Sequence, residues 1–183
     1  MLNKNMSKKE IEEEISKKGD FVQLDYLNRF VESRPPLEIK KFCYIKISEI
    51  YGRKSMFIDA GSFLEKAAES SISFSEKIVH FTKAGELFIK AGNFEKADYA
   101  FKKALHNANG AEKTKLNVEI KNLYKKYAED AYVRNKRAIA IKFYDKLSSM
   151  ESSEEEKEDI RKRLLELNEK IGNFKEAARF RKS

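Results

Sequence analysis

Apolar residues are spread singly along the chain and recur at three- and four-residue intervals, the spacing of one helical face and not the alternation of a strand. Tyr44, Ile47, Ser48 and Tyr51 form one such face, Phe81, Ala84, Gly85 and Phe88 a second, and Tyr124, Tyr127, Ala128 and Ala131 a third. Leu64 and Ala67, Phe101 and Ala104, and Tyr144 and Leu147 continue the period in the segments that follow. Start and stop signals divide this pattern. Ser7 with Glu10, Ser73 with Glu76 and Ser153 with Glu156 have the Ser-x-x-Glu spacing of a capping box, in which the two side chains satisfy exposed amides at a helix start. Gly19 and Gly110 suit left-handed helix ends, and Pro35-Pro36 breaks the chain. Ten helices are predicted, at about 8–18, 20–33, 37–52, 56–69, 75–91, 94–107, 111–133, 137–149, 154–171 and 174–182.

The helices repeat. Lys90-Ala-Gly-Asn-Phe-Glu-Lys-Ala97 is echoed by Lys170-Ile-Gly-Asn-Phe-Lys-Glu-Ala177, each a turn between two apolar-faced helices. Sliding this template along the chain places equivalent turn residues at Gly19, Ser55, Gly92, Asn135 and Gly172, spaced by 36, 37, 43 and 37. Two residues after each stand Phe21, Phe57, Phe94, Arg137 and Phe174, and three further on a slot holds Leu24, Ala60, Ala97, Ala140 and Ala177. Alanine in that slot lets the two helices of a hairpin approach closely. A hairpin that cannot bury its apolar face alone must stack on its neighbours, so an all-α array of about five antiparallel hairpins is expected, at about 7–34, 37–70, 74–108, 111–149 and 154–183, forming one domain over 1–183.

Phe81, Ala84, Gly85, Phe88, Ala97, Phe101 and Ala104 follow the order of aromatic, Leu-Gly, Tyr, Ala, Phe and Ala found in the tetratricopeptide repeat, which the chain resembles. Pro36 falls where that family's terminal proline would stand. The repeats here exceed the family length of about 34 residues, as in the divergent arrays of the soluble NSF attachment proteins. The resemblance implies a right-handed α-solenoid whose leading helices line a concave groove that receives a peptide or helix of another protein.

Composition narrows the class further. Of the 183 residues 41% are hydrophobic and 37% charged, with seven Gly and two Pro, which excludes collagen-like and disordered chains and disfavours a turn-rich β-sandwich. A chain of this length buries about 70% of its unfolded surface without a metal or disulfide. No run of about 18 apolar residues exists, and the charged start from Met1 to Glu14 lacks the apolar stretch of a secretion signal. A cytoplasmic protein with no membrane insertion is therefore expected. Cys43, the only cysteine, sits between Phe42 and Tyr44 in an apolar stripe and reads as a buried thiol.

Enzyme signatures are absent. His80 and His106 are not spaced as metal ligands on one helix, and no HExxH, GxSxG, Walker or GxGxxG pattern occurs, so neither catalysis nor a cofactor is expected. The segment Ser148–Glu156 reads either as a phosphorylation site or as a linker whose Ser153 caps the next helix.

The informative positions emerge when the leading helices are overlaid. Lys46, Lys83, Lys126 and Arg163 fall in one slot, Glu49, Glu86, Glu129 and Glu166 three residues later, and Arg53, Lys90 and Lys170 further along the same face. These ladders are either solvated helix faces or the walls of a charge-striped groove for a protein segment, with Tyr132 on the same side. Family members that clamp a terminal carboxylate use Lys, Asn and Arg. The matching positions here, Thr82, Glu86, Lys126, Asp159 and Arg163, carry the wrong charge at two places, so that specificity does not transfer.

The net charge of +8 is unevenly distributed: residues 121–147 hold eight Lys and Arg against three Asp and Glu. Lys121, Lys125, Lys126, Arg134, Lys136 and Arg137, with Tyr132 to stack on a base, make a candidate nucleic-acid patch. The leading expectation is a non-catalytic adaptor with a protein or peptide partner, and the alternative an RNA- or ribosome-associated repeat. A third candidate surface is the C-terminal hairpin. Its short last helix is expected to leave Leu164, Leu165, Leu167, Phe174 and Phe180 partly uncovered, a homo-oligomer contact.

Overall fold

The computed structural model describes residues 2–3 and 5–181. The fold is all-α, 80% helical, with ten helices and no strand among the described residues. The chain divides into two compact units, Met1–Lys113 and Thr114–Ser183.

In the first unit α1 (Lys8–Ser16), α2 (Asp20–Glu32), α3 (Leu37–Arg53), α4 (Phe57–Glu69), α5 (Phe74–Lys90) and α6 (Phe94–Asn107) pack in succession, each on the next. Its core begins with Ile11, Ile15, Leu24, Leu27, Phe30, Cys43, Ile47 and Ile50. It continues through Ala60, Leu64, Ala67, Phe81, Ala84, Phe88, Ala97, Phe101 and Ala104, all buried. Burial pushes the Cys43 thiol up to about 12. Small residues set the helix spacing. A Cβ on Gly85 would stand 2.4 Å from Cε1 of Phe101, and one on Gly61 2.7 Å from Cε1 of Phe88, so each glycine is the seat of an aromatic ring.

The second unit takes the body of α7 (Gly110–Val133) with α8 (Arg137–Ser148), α9 (Glu154–Lys170) and α10 (Phe174–Arg181). Tyr124 and Tyr127 of α7 both contact the Phe143 ring of α8, at centroid distances of 6.2 and 6.1 Å, and α9 packs on both α8 and α10. Every helix falls within two residues of its expected range. Lys182, the last residue expected in the tenth, lies outside the described residues.

The turns carry the repeat in their backbone. Ser55, Gly92, Asn135 and Gly172 have φ of 58°, 72°, 57° and 78°, the left-handed conformation. At each of them the same two bonds recur. The N–H of Ser55 donates to Gly52 and that of Met56 to Tyr51, and Gly92 with Asn93, Asn135 with Lys136, and Gly172 with Asn173 repeat the pair. This is the Schellman motif, which satisfies the last carbonyls of a helix and reverses the chain. Its four occurrences stand at the spacings expected for the repeat. The slot after each turn holds Ala60, Ala97, Ala140 and Ala177, all fully buried.

Three expectations are corrected. Gly19 has φ of −67° and starts α2, and Gly110 is the first residue of α7 with no positive φ, so neither is a left-handed helix end. The chain at Gly19 lies at a helix entry, where an extended φ serves. Ser73 precedes α5 but its side chain makes no capping bond, and the Glu76 carboxylate that would complete the box is engaged by the Lys41 ammonium, 2.9 Å distant. The boxes at Ser7 and Ser153 do form. Leu164 and Leu167 are buried rather than partly uncovered, because α8 and α10 both pack on α9, and Leu165 is half-buried.

A charged cleft in the second unit

Ion pairs link successive hairpins at nearly the repeat spacing. Lys41, three residues before the leading aromatic Tyr44, is buried and donates to Glu38 (2.8 Å) and Glu76 (2.9 Å). Lys121 stands three residues before Tyr124 and donates to Glu156 at 2.5 Å, the same relation two helix pairs further along the chain. Lys125 also donates to Glu156. With two ammonium groups on it, Lys121's bond acting more strongly than Lys125's, the Glu156 carboxyl is held down to about 2.

The groove positions divide between the units. In the first, Lys46 pairs with Glu12 at 2.5 Å and Glu49 at 3.4 Å, Arg53 with Asp20 at 2.8 Å, and Lys90 with Glu86 at 3.3 Å, whereas Lys83 is exposed. In the second, the Tyr132 hydroxyl donates to both oxygens of Glu166 (2.8 and 2.9 Å), and the Arg163 guanidinium lies 4.2 Å over the Tyr132 ring. Arg163 also pairs with Glu166 at 3.9 Å. Lys126 is exposed, its ammonium 5.6 Å from the Tyr127 ring. Glu129 accepts from the Tyr144 hydroxyl at 2.5 Å.

Of the remaining basic positions, Arg134 pairs with Asp130 at 2.8 Å, and Arg137 donates to Asn135 (2.9 Å) and to the Lys170 carbonyl (3.1 Å). Lys136 is exposed at the entry to α8. At the C-terminal hairpin Phe174 is 65% exposed and Phe180 half-buried.

These contacts surround a cleft of about 500 Å³. Lys125 and Glu129 of α7 form one wall, Glu156, Asp159, Lys162, Arg163 and Glu166 of α9 the other, and Tyr144, Leu147 and Ile160 contribute apolar surface. Burial first, then the bond to Glu129, raises the Tyr144 phenol above its ordinary value, so it stays a neutral donor. Lys170 and then Tyr132 hold the Glu166 carboxyl low. Desolvation works against the Arg163 cation, but Tyr132, Glu129 and Tyr144 outweigh it and raise its pKa.

No protein-family model matches the chain, and no curated protein matches it at a significant level. The chemistry of the cleft therefore rests on its own residues. No group of three or more His, Cys, Asp and Glu side chains able to hold a metal occurs among the described residues, and no helix there is long and apolar enough to cross a membrane.

The repeat overlay picks out Glu129, Tyr132, Arg163 and Glu166 in advance, and Asp159 as a position matching the carboxylate clamp with the wrong charge, but not Lys41, Tyr144, Glu156 or Lys162 as site residues. A signal for two of these is present in the chain. Lys41 with Glu76 and Lys121 with Glu156 are both 35 residues apart, so an overlay extended to the starts of the leading helices pairs them. Tyr144 carries no such signal, because it occupies a packing slot on α8 and only the fold turns its hydroxyl toward α7.

Proposed function

We propose that this chain is a non-catalytic protein-interaction scaffold of the tetratricopeptide type, binding a peptide or helix of a partner protein. The observation that carries the reading is the cleft of the second unit, which combines apolar surface from Leu147, Ile160 and Tyr144 with charged walls on two leading helices. A protein segment offers both kinds of complement at once, apolar side chains for the interior and charges for the walls. The four Schellman turns support the family reading, since the same chain reversal recurs at Ser55, Gly92, Asn135 and Gly172.

RNA contact through residues 121–147 is supported less well. Lys121 and Lys125 are spent on Glu156, Arg134 on Asp130, and one face of Tyr132 lies under Arg163, which leaves Lys126 and Lys136 as exposed cations of the patch. Selection of short random peptides on the immobilised protein tests the proposal. Enriched peptides are expected to bind saturably, to shift the amide signals of Leu147 and Ile160, and to lose little affinity from low to moderate salt. Failure to enrich any peptide, together with tight RNA binding that collapses with salt, overturns it.

A further inference from the structure

The two walls of the cleft are not electrically balanced, and the imbalance identifies a ligand chemistry. Of the three cations lining it, Lys125 is committed to Glu156, which Lys121 also holds at 2.5 Å. Lys162 leans to Glu158, which does not line the cleft, at 3.6 Å. Arg163 stacks on Tyr132 and pairs with Glu166, which Lys170 also engages at 2.5 Å. Glu156 and Glu166 are thus each met by two cations. Glu129 and Asp159 are not. Among the described residues the Glu129 carboxylate accepts its hydrogen bond from a neutral phenol, that of Tyr144, and the Asp159 carboxylate makes no ion pair or side-chain hydrogen bond. Arg163 favours Glu129 through space but makes its ion pair elsewhere.

We propose that the occupant of this cleft is a partner segment bearing a lysine or arginine, whose cationic head meets Glu129 and Asp159 while its aliphatic stem covers Leu147, Ile160 and Tyr144. The inference rests on the peptide-binding reading above and deepens it by naming the charge of the anchor. A long basic side chain suits the site because its methylene stem buries against apolar surface while its head stays at a carboxylate. The Tyr144 hydroxyl fixes one oxygen of Glu129 and leaves the other to accept from the ligand. A carboxylate or phosphate in the same place would face two uncompensated anions, and the nearby cations would have to break existing pairs to reach it.

Three pools of capped, otherwise randomised peptides, with the central residue fixed as Arg, Gln or Glu, provide the test. Binding is read by anisotropy and by amide shifts at Leu147 and Ile160. The Arg pool is expected to bind about tenfold more tightly than the Gln pool, roughly the value of one added charge-assisted contact, and the Glu pool most weakly. Glu129→Gln and Asp159→Asn, both at exposed positions, are each expected to reduce Arg-pool affinity several-fold and leave the Gln pool unchanged. Glu119→Gln, outside the cleft, should change neither. Equal binding of the three pools, or stronger binding of the Glu pool with shifts at Leu147 and Ile160, overturns the inference and leaves peptide binding intact. If no pool binds, the inference falls. The scaffold reading falls with it only if random selection also enriches nothing.

Discussion

Substituting Gly85 by alanine tests the helix packing of the first unit through the sign of a stability change. Gly85 lies inside α5, where alanine is intrinsically favoured over glycine by about 1 kcal/mol. Against that gain stands Phe101, whose ring would lie 2.4, 2.7 and 2.7 Å from the new Cβ at three carbons, far inside the roughly 3.5–4.0 Å of ordinary carbon contact. The ring is only 3% exposed and has no solvent to swing into. Overpacking of this kind costs about 1–3 kcal/mol, and three simultaneous close contacts with a confined ring place it at the upper end. The net expectation is a destabilisation of about 2 kcal/mol, the difference between an overpacking cost of about 3 and a propensity gain of about 1. Gly52 is the internal control, because it lies in α3 with nothing within 4 Å of its would-be Cβ. Gly52→Ala should therefore stabilise by up to about 1 kcal/mol. Urea denaturation followed by circular dichroism, at unchanged slope, measures both. In a double-mutant cycle with Phe101→Leu, removing the ring should relieve the clash and reveal a coupling of about 1–3 kcal/mol. If Gly85→Ala stabilises the protein as Gly52→Ala does, the α5–α6 packing described above is wrong.

Ala97, fully buried in the slot after the Gly92 turn, should tolerate tryptophan poorly. Ala97→Trp is expected to destabilise by about 1–3 kcal/mol in the same urea assay, and a neutral result would place the slot at a surface. The Glu156 carboxyl is expected to titrate near pH 2 by carbon-detected NMR, against an ordinary value of 4.5. Because its folded pKa is depressed, its contribution to stability is present in full above pH 4.5 and disappears as pH falls toward 2. Glu156→Gln should remove that part of the acid dependence of thermal unfolding, and titration near 4.5 would show that Lys121 and Lys125 do not hold it.

Helix number and helix limits were legible along the chain, because each depends on neighbours within a turn or two, and so were four of the five expected turns, the one at Gly19 failing. Apolar residues at three- and four-residue intervals mark the buried faces, and Ser7 and Ser153 form their caps from residues three positions away. The turn template located Ser55 and Asn135 as equivalents of Gly92 and Gly172 although neither is glycine, and all four share one backbone conformation. What the chain could not specify was which charged side chains would meet. Lys and Glu recur on every helix, and local sequence assigns no partner to any of them. Tertiary packing brought Glu76 to Lys41, an engagement invisible within α5 itself, and the box expected at Ser73 does not form. The same packing turned Tyr132 and Arg163 toward Glu166, engaging a tyrosine that the sequence alone left available to stack on a base. It also separated committed carboxylates from uncommitted ones, Glu156 and Glu166 from Glu129 and Asp159. Local periodicity decides where a helix lies and which face it buries. The charge left over on the opposite face is settled only when another helix is set beside it.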